Sequence, residues 1–120
     1  MLNILVIEDN PDNMTLVDEI LDDAGFHVFQ AVNAELGIDM LNTQQIDLIL
    51  MDISLPQMSG LEATTLIKSR QETAQIPIIA LTAHAMQADK EQAMSAGANA
   101  FLTKPIDEDI LLQTIEEMSN

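Results

Sequence analysis

The chain has 120 residues, 48% of them hydrophobic and none of them cysteine. That is enough for one domain with its own core, too apolar for a disordered chain, and incompatible with disulfides or thiolate metal sites. A net charge of -16, with Lys68, Arg70, Lys90 and Lys104 as the only lysines and arginines, excludes nucleic-acid backbones as partners. No apolar run nears the ~20 residues of a membrane span and no basic leader precedes an apolar stretch, so the expectation is a cytoplasmic protein without membrane contact.

Leu2 to Ile7 is almost wholly apolar and rich in β-branched residues, the pattern of a buried strand, and it stops at Glu8-Asp9. Asn10-Pro11 reads as an N-cap followed by proline at the first helical position. Met14, Val17, Ile20, Leu21 and Ala24 then recur at helical spacing, and Gly25 suits a left-handed C-terminal position. Phe26 to Ala31 forms a second, weaker strand, and Asn33 caps a short helix carrying Leu36, Met40 and Leu41, which Gly37 weakens.

The third strand, Leu48 to Met51, ends on Asp52. Ile53-Ser54-Leu55-Pro56 breaks the chain, and Ser59 with Glu62 is a capping-box pattern that opens a helix through Leu61, Thr65 and Ile67. Gln71 to Gln75 is a polar loop. Pro77 introduces a fourth buried strand, Ile78 to Leu81, ending on Thr82. A helix over roughly Gln87 to Ala96 closes at Gly97. The fifth strand, Ala100 to Thr103, stops at Lys104-Pro105, and Asp107 caps a last helix with Leu111, Ile115 and Met118 on one stripe.

Strand and helix alternate five times, which predicts an α/β fold: a doubly wound, five-stranded parallel sheet with helices on both faces. In such a sheet, ligands bind beyond the carboxyl ends of the strands. The residues just past those ends are Glu8 and Asp9, then Asp52, Thr82 and Lys104, while Ala31-Val32 brings nothing charged. Three neighbouring carboxylates repel one another, and a divalent cation resolves the repulsion. Oxygen-only donors favour magnesium. Lys104 and the Thr82 hydroxyl suit two further phosphoryl oxygens, with Asp52 as the nucleophile. Asp52→Asn is expected to stabilise the metal-free fold by relieving crowding with Glu8 and Asp9. A magnesium-dependent phosphohydrolase and a flavin-binding domain of the same topology are the alternatives. The first needs a second acid near Asp52, where Ile53-Ser54 stands. The second needs a hydroxyl-rich phosphate loop and stacking aromatics, and aromatics are 2%.

With Ile7-Glu8-Asp9-Asn10, Leu50-Met51-Asp52-Ile53, Leu55-Pro56, Ser59-Gly60-Leu61, Ala80-Leu81-Thr82-Ala83, Gly97-Ala98 and Phe101-Leu102-Thr103-Lys104-Pro105 in this order, the whole chain resembles the CheY-like receiver domain of two-component response regulators. The pattern is most similar to stand-alone DivK-type receivers and to receivers of hybrid kinases. The resemblance implies a flavodoxin-like strand order 2-1-3-4-5 and a single receiver domain over 1–120 with no output domain. It implies Asp52 as phosphoacceptor, charged from the phosphohistidine of a histidine kinase or histidine phosphotransfer protein. The metal set would be Glu8, Asp9, Asp52 and the backbone carbonyl of Ser54, holding Mg2+, with Mn2+ able to substitute. Lys104 pairs with the acid or its phosphate, Thr82 and Phe101 form the switch, and Pro105 follows a cis bond. The helix from Pro11 to Ala24 docks the donor, a downstream protein reads the switch, and the chain is a monomer or a phosphorylation-dependent dimer. Such a domain is no enzyme beyond its own phosphorylation and dephosphorylation. Phe101 departs from the tyrosine common in the family and lacks its hydrogen bond. His84 and Ser54 stand where the family tunes acyl-phosphate lifetime, although an exposed histidine at a helix start is the plainer account of His84. His27 is read as a surface or core-edge residue, and Met14, Met40, Met51 and Met94 as core filler.

Overall fold

The structure, a computed structural model, describes residues 2–55, 57–83 and 87–119. Pro56 and His84, both singled out above, lie outside the described residues. Five strands, β1 (Asn3–Ile7), β2 (His27–Ala31), β3 (Leu48–Asp52), β4 (Ile78–Thr82) and β5 (Ala100–Thr103), alternate with five helices. These are α1 (Pro11–Asp23), α2 (Ala34–Thr43), α3 (Gly60–Ser69), α4 (Gln87–Ala96) and α5 (Glu108–Ser119). The strands form one parallel sheet in the order β2-β1-β3-β4-β5, as the resemblance implied.

The period of two along each strand divides the core. Ile4, Val6, Leu48, Leu50, Ile79 and Leu81 face Met14, Val17, Ile20 and Leu21 of α1 and Leu111 and Ile115 of α5. Leu5, Ile7, Ile49, Met51 and Ile78 face Ala34 and Ile38 of α2 and Ala63 and Ile67 of α3. Strands covered on both faces have no polar alternation to show, which is why they read as unbroken apolar runs. Each fully buried Leu or Ile side chain contributes about 1.5–3 kcal/mol. By that measure α4 is the weakest anchor, since the helix buries only Ala93, against Ala80 and Ala98. Met94 accordingly lies 41% exposed on α4 and is not core filler, whereas Met14 and Met51 are buried and Met40 is half-buried. His27 is exposed, with its ring centroid 4.6 Å from that of Phe29.

Local chemistry sets the helix starts. Asn10, Asn33 and Ser59 cap α1, α2 and α3 by accepting from the N–H of Asn13, Leu36 and Glu62 at 3.0, 2.8 and 3.1 Å. Asp107 does the same for Ile110 at 3.0 Å. Gly37 does not break α2. A side chain there would collide with Ile7, whose Cγ1 lies 2.8 Å from the position of a Cβ, so glycine lets α2 settle against β1. Gly60 has a similar role nearer the acids. Its N–H donates to Ile53 O at 2.9 Å, and an added Cβ would meet the Asp52 carbonyl oxygen and lie 2.7 Å from Ile53 Cα. Backbone there cannot swing aside as a side chain does. Gly60→Ala is therefore expected to lower stability by about 1–3 kcal/mol through overpacking. A urea midpoint unchanged from wild type would show that the loop yields freely.

Candidate functional site

Register gathers the strand-end residues. Ile7 pairs with Met51, so continuing the β1–β3 ladder by one residue sets Glu8 beside Asp52. Asp52 pairs with Leu81, and Thr82 with Thr103, so Lys104 follows directly on the β4–β5 ladder. Three backbone bonds extend the ladders past the strands: Glu8 N–H to Ala31 O at 3.0 Å, Ile53 N–H to Leu81 O at 3.0 Å, and Lys104 N–H to Thr82 O at 2.7 Å.

The carboxylates of Glu8, Asp9 and Asp52 each place an oxygen within 4.8 Å of the other two, the one such cluster among the described residues. Glu8 and Asp52 are buried, at 1% and 3% exposure, and Asp9 is exposed. The Lys104 ammonium donates to Glu8 Oε1 at 2.6 Å and sits 3.3 Å from Asp52 Oδ1. Ser54 N–H donates to the same Asp52 oxygen at 3.2 Å, so neither contact occupies Oδ2. Oxygen-only donors with surplus negative charge fit a hard divalent cation. Thr82 is buried at the end of β4. Phe101 pairs in register with Ala80, is half-buried against Ala80, Ala93 and Ala98, and lines a cleft of ≈ 190 Å³ with Leu102, Thr103, Pro105, Ile106 and Ile110. The Lys104–Pro105 peptide bond is cis.

Two features of this site were not legible in the sequence. The first is that Lys104 lies closer to Glu8 than to Asp52. The second is Asn10, whose N–H donates to Glu8 Oε2 at 3.2 Å. Its side chain signalled a helix cap, and nothing in the residue type announced the backbone contact.

Burial pushes the Glu8 carboxyl up from 4.5 to about 7; the Lys104 bond opposes this, and Asp52 adds to it. Burial pulls the Lys104 ammonium down, but its bond to Glu8 and the charges of Asp52 and Glu8 outweigh that and hold it above its ordinary value. Between pH 4.5 and about 7 the folded chain thus binds more protons at Glu8 than the unfolded chain. Stability from this group is fully present below that window, falls as pH rises through it, and levels off above. A chelator-treated melting series across the window should show this slope, and Glu8→Gln should remove it. Because Asp52 helps raise Glu8, Asp52→Asn is expected to flatten the slope and stabilise the metal-free fold by about 1 kcal/mol. A lower melting temperature for that variant in chelator would contradict the electrostatic account.

Known proteins resemble this chain in sequence and fold. Residues 4–116 match the response regulator receiver domain family. The chain is 37% identical over 114 residues to the polar-differentiation response regulator DivK of Brucella anthropi, covering 95% of this chain and 93% of that protein. Among solved structures, the receiver domain of a sensor histidine kinase from Pseudomonas aeruginosa, with a magnesium ion coordinated in its active-site cleft, superposes with a TM-score of 0.91 at 35% identity. That match covers 98% of this chain and 97% of the other. The chemotaxis protein CheY4 of Vibrio cholerae gives a TM-score of 0.93 at 25% identity, covering 98% of each chain. With its sheet order, its strand-end acids and its lysine all in place, the chain belongs to the response regulator receiver domain family of two-component systems.

Proposed function

We propose that Asp52 accepts a phosphoryl group from a phosphohistidine on a histidine kinase or histidine phosphotransfer protein, and that this switches the contacts the chain makes with other proteins. The observation that carries the reading is the setting of Asp52. It is the last residue of β3, almost wholly buried, with a lysine at 3.3 Å and two further carboxylates beside it. A carboxylate oxygen of Asp52 forms the new O–P bond while the donor's N–P bond breaks, and the imidazole leaves with the electron pair. Transfer of this kind needs positioning and charge neutralisation more than covalent help. The chain acts on its own side chain and turns over no separate substrate.

Glu8, Asp9 and Asp52, with the Ser54 backbone carbonyl, supply the oxygen-rich surroundings for Mg2+, or for Mn2+ in its place. When bound, the ion neutralises phosphoryl and carboxylate charge. The magnesium seen in the active-site cleft of the related kinase receiver supports a divalent ion here. Lys104 offers its ammonium to a second phosphoryl oxygen and the Thr82 hydroxyl to a third. Thr82 shares the α4 side of the sheet with Ala80, and Phe101 lies beside Ala80 in register. The small side chains of Ala80, Ala93 and Ala98 leave Phe101 room to follow when Thr82 is drawn toward the phosphoryl group. With α4 anchored by one buried alanine, α4 is the helix that moves most cheaply, and the surface it shares with β5 and α5 is where a partner reads the switch. The donor docks along α1, whose N-terminus adjoins the acids.

Incubation with magnesium and acetyl phosphate or phosphoramidate should add one phosphoryl mass to the intact chain. Asp52→Asn should abolish the addition; an equal gain in that variant would remove Asp52 from the reaction. Magnesium should also raise the melting temperature, with linkage worth about 2.7 kcal/mol at one hundred times its dissociation constant. A calorimetric scan with no shift at millimolar magnesium would argue against the metal site.

A further inference from the structure

The end of the sheet opposite the acids carries a second cleft, of ≈ 760 Å³, where the α2–β3 connection meets the α3–β4 connection. Leu41, Ile46 and Ile76 line it with partly or fully buried apolar surface, while Gln44, Gln45, Arg70 and Glu72 are exposed. Both connections are held by their own hydrogen bonds. Lys68 Nζ donates to Ala74 O at 3.2 Å and to Ile76 O at 2.7 Å, and Thr73 Oγ1 to Ile67 O at 2.6 Å. On the other side Asn3 Nδ2 donates to Gln45 O at 2.7 Å, and Asp47 accepts from Asn3 N–H at 2.8 Å. Backbone fixed in advance saves the cost of ordering it on docking. The charged side chains are not held. Among the described residues, neither the Arg70 guanidinium nor the Glu72 carboxylate has an ion-pair or hydrogen-bond partner.

This corner is also the exception in charge. Its two connections and the last turn of α3 carry Lys68 and Arg70 against Asp47 and Glu72, in a chain of net charge -16. Helices α1 and α5 return to the same end of the sheet with acids in their last turns, Asp22 and Asp23 in one, Glu116 and Glu117 in the other. Like charge opposes self-association over most of such a surface, and here it does not.

We infer that this corner docks a second copy of the chain, paired about a two-fold axis so that Arg70 of each copy meets Glu72 of the other. A two-fold contact must be complementary to itself. One cation and one anion, two positions apart and unpaired within the chain, meet that condition. The side-chain amides of Gln44 and Gln45 both donate and accept, so they too can face their own copies. The patch is small beside the ~20–30 residues a side of a standard interface, so the dimer is weak and concentration-dependent. It lies at the amino ends of the strands and the acids at the carboxyl ends, so the contact owes nothing to Asp52 and leaves that residue open in both copies.

Sedimentation equilibrium from about 10 µM to about 1 mM, in chelator and without a phosphoryl donor, should show the mass rising from 13.2 kDa toward twice that value. Asp52→Asn should behave as wild type. Arg70→Glu and Glu72→Arg should each stay monomeric over that range, since each sets like charges face to face. Both positions are exposed and neither side chain is bonded, so both variants keep the fold. An equimolar mixture of the two variants should associate, and so should the double variant Arg70→Glu/Glu72→Arg, because each restores opposite charges across the axis. The single substitutions shift the net charge in opposite senses. A plain charge effect would therefore make Glu72→Arg associate more strongly than wild type, and that result would overturn the pairing. So would a mixture that stays monomeric. Wild type still monomeric at about 1 mM would leave the corner to a different protein and end the inference outright.

Discussion

The site is governed by negative charges crowded at the ends of parallel strands with a single ammonium among them. Two carboxylates about 4 Å apart repel by about 4 kcal/mol at an effective dielectric of ~20, a large part of the 5–15 kcal/mol that holds a typical domain together. Parallel register forces the crowding, because Ile7 of β1 pairs with Met51 of β3 and the next residue on each chain segment, Glu8 and Asp52, is an acid. Two things relieve it within the chain. Lys104 bridges Glu8 and Asp52, and Glu8 holds its proton to a higher pH than an ordinary glutamate. What remains is a pocket of surplus negative charge, well matched to a divalent ion and, through it, to a phosphoryl group.

The remainder of the molecule supports that pocket unevenly. Helices α1 and α5 are pinned to one face of the sheet by large aliphatic side chains, as α2 and α3 are to the other. Two glycines serve close approach: Gly37 brings α2 onto Ile7, and Gly60 brings the start of α3 onto the backbone of Asp52. Helix α4 lacks comparable anchoring. A fold stiff around its acids and loose at one helix suits a domain whose chemistry is local and whose output is a change of surface.

Much of this was legible in the chain. Apolar runs ending on Glu8, Asp52, Thr82 and Lys104 marked the strands and the rim, because strands buried on both faces leave no polar period to confuse the reading. Asn10, Asn33, Ser59 and Asp107 marked four helix starts, since a cap is a contact three residues long. Gly37 misled as a helix weakener, and Met94 misled as core filler. Both depend on what stands opposite, Ile7 in the first case and solvent in the second.

The sequence by itself determined the alternation of elements, the parallel sheet, and the identity of the acids, hydroxyl and lysine at the strand ends, because each of these follows from spacing along the chain or from side-chain chemistry. Only the tertiary structure decided which acid holds the lysine. Glu8 and Lys104 stand 96 positions apart, and whether the ammonium rests 2.6 Å from Glu8 or 3.3 Å from Asp52 is settled by the register of four strands and the reach of one flexible stem. A difference of less than an ångström at such a separation leaves no trace in local pattern.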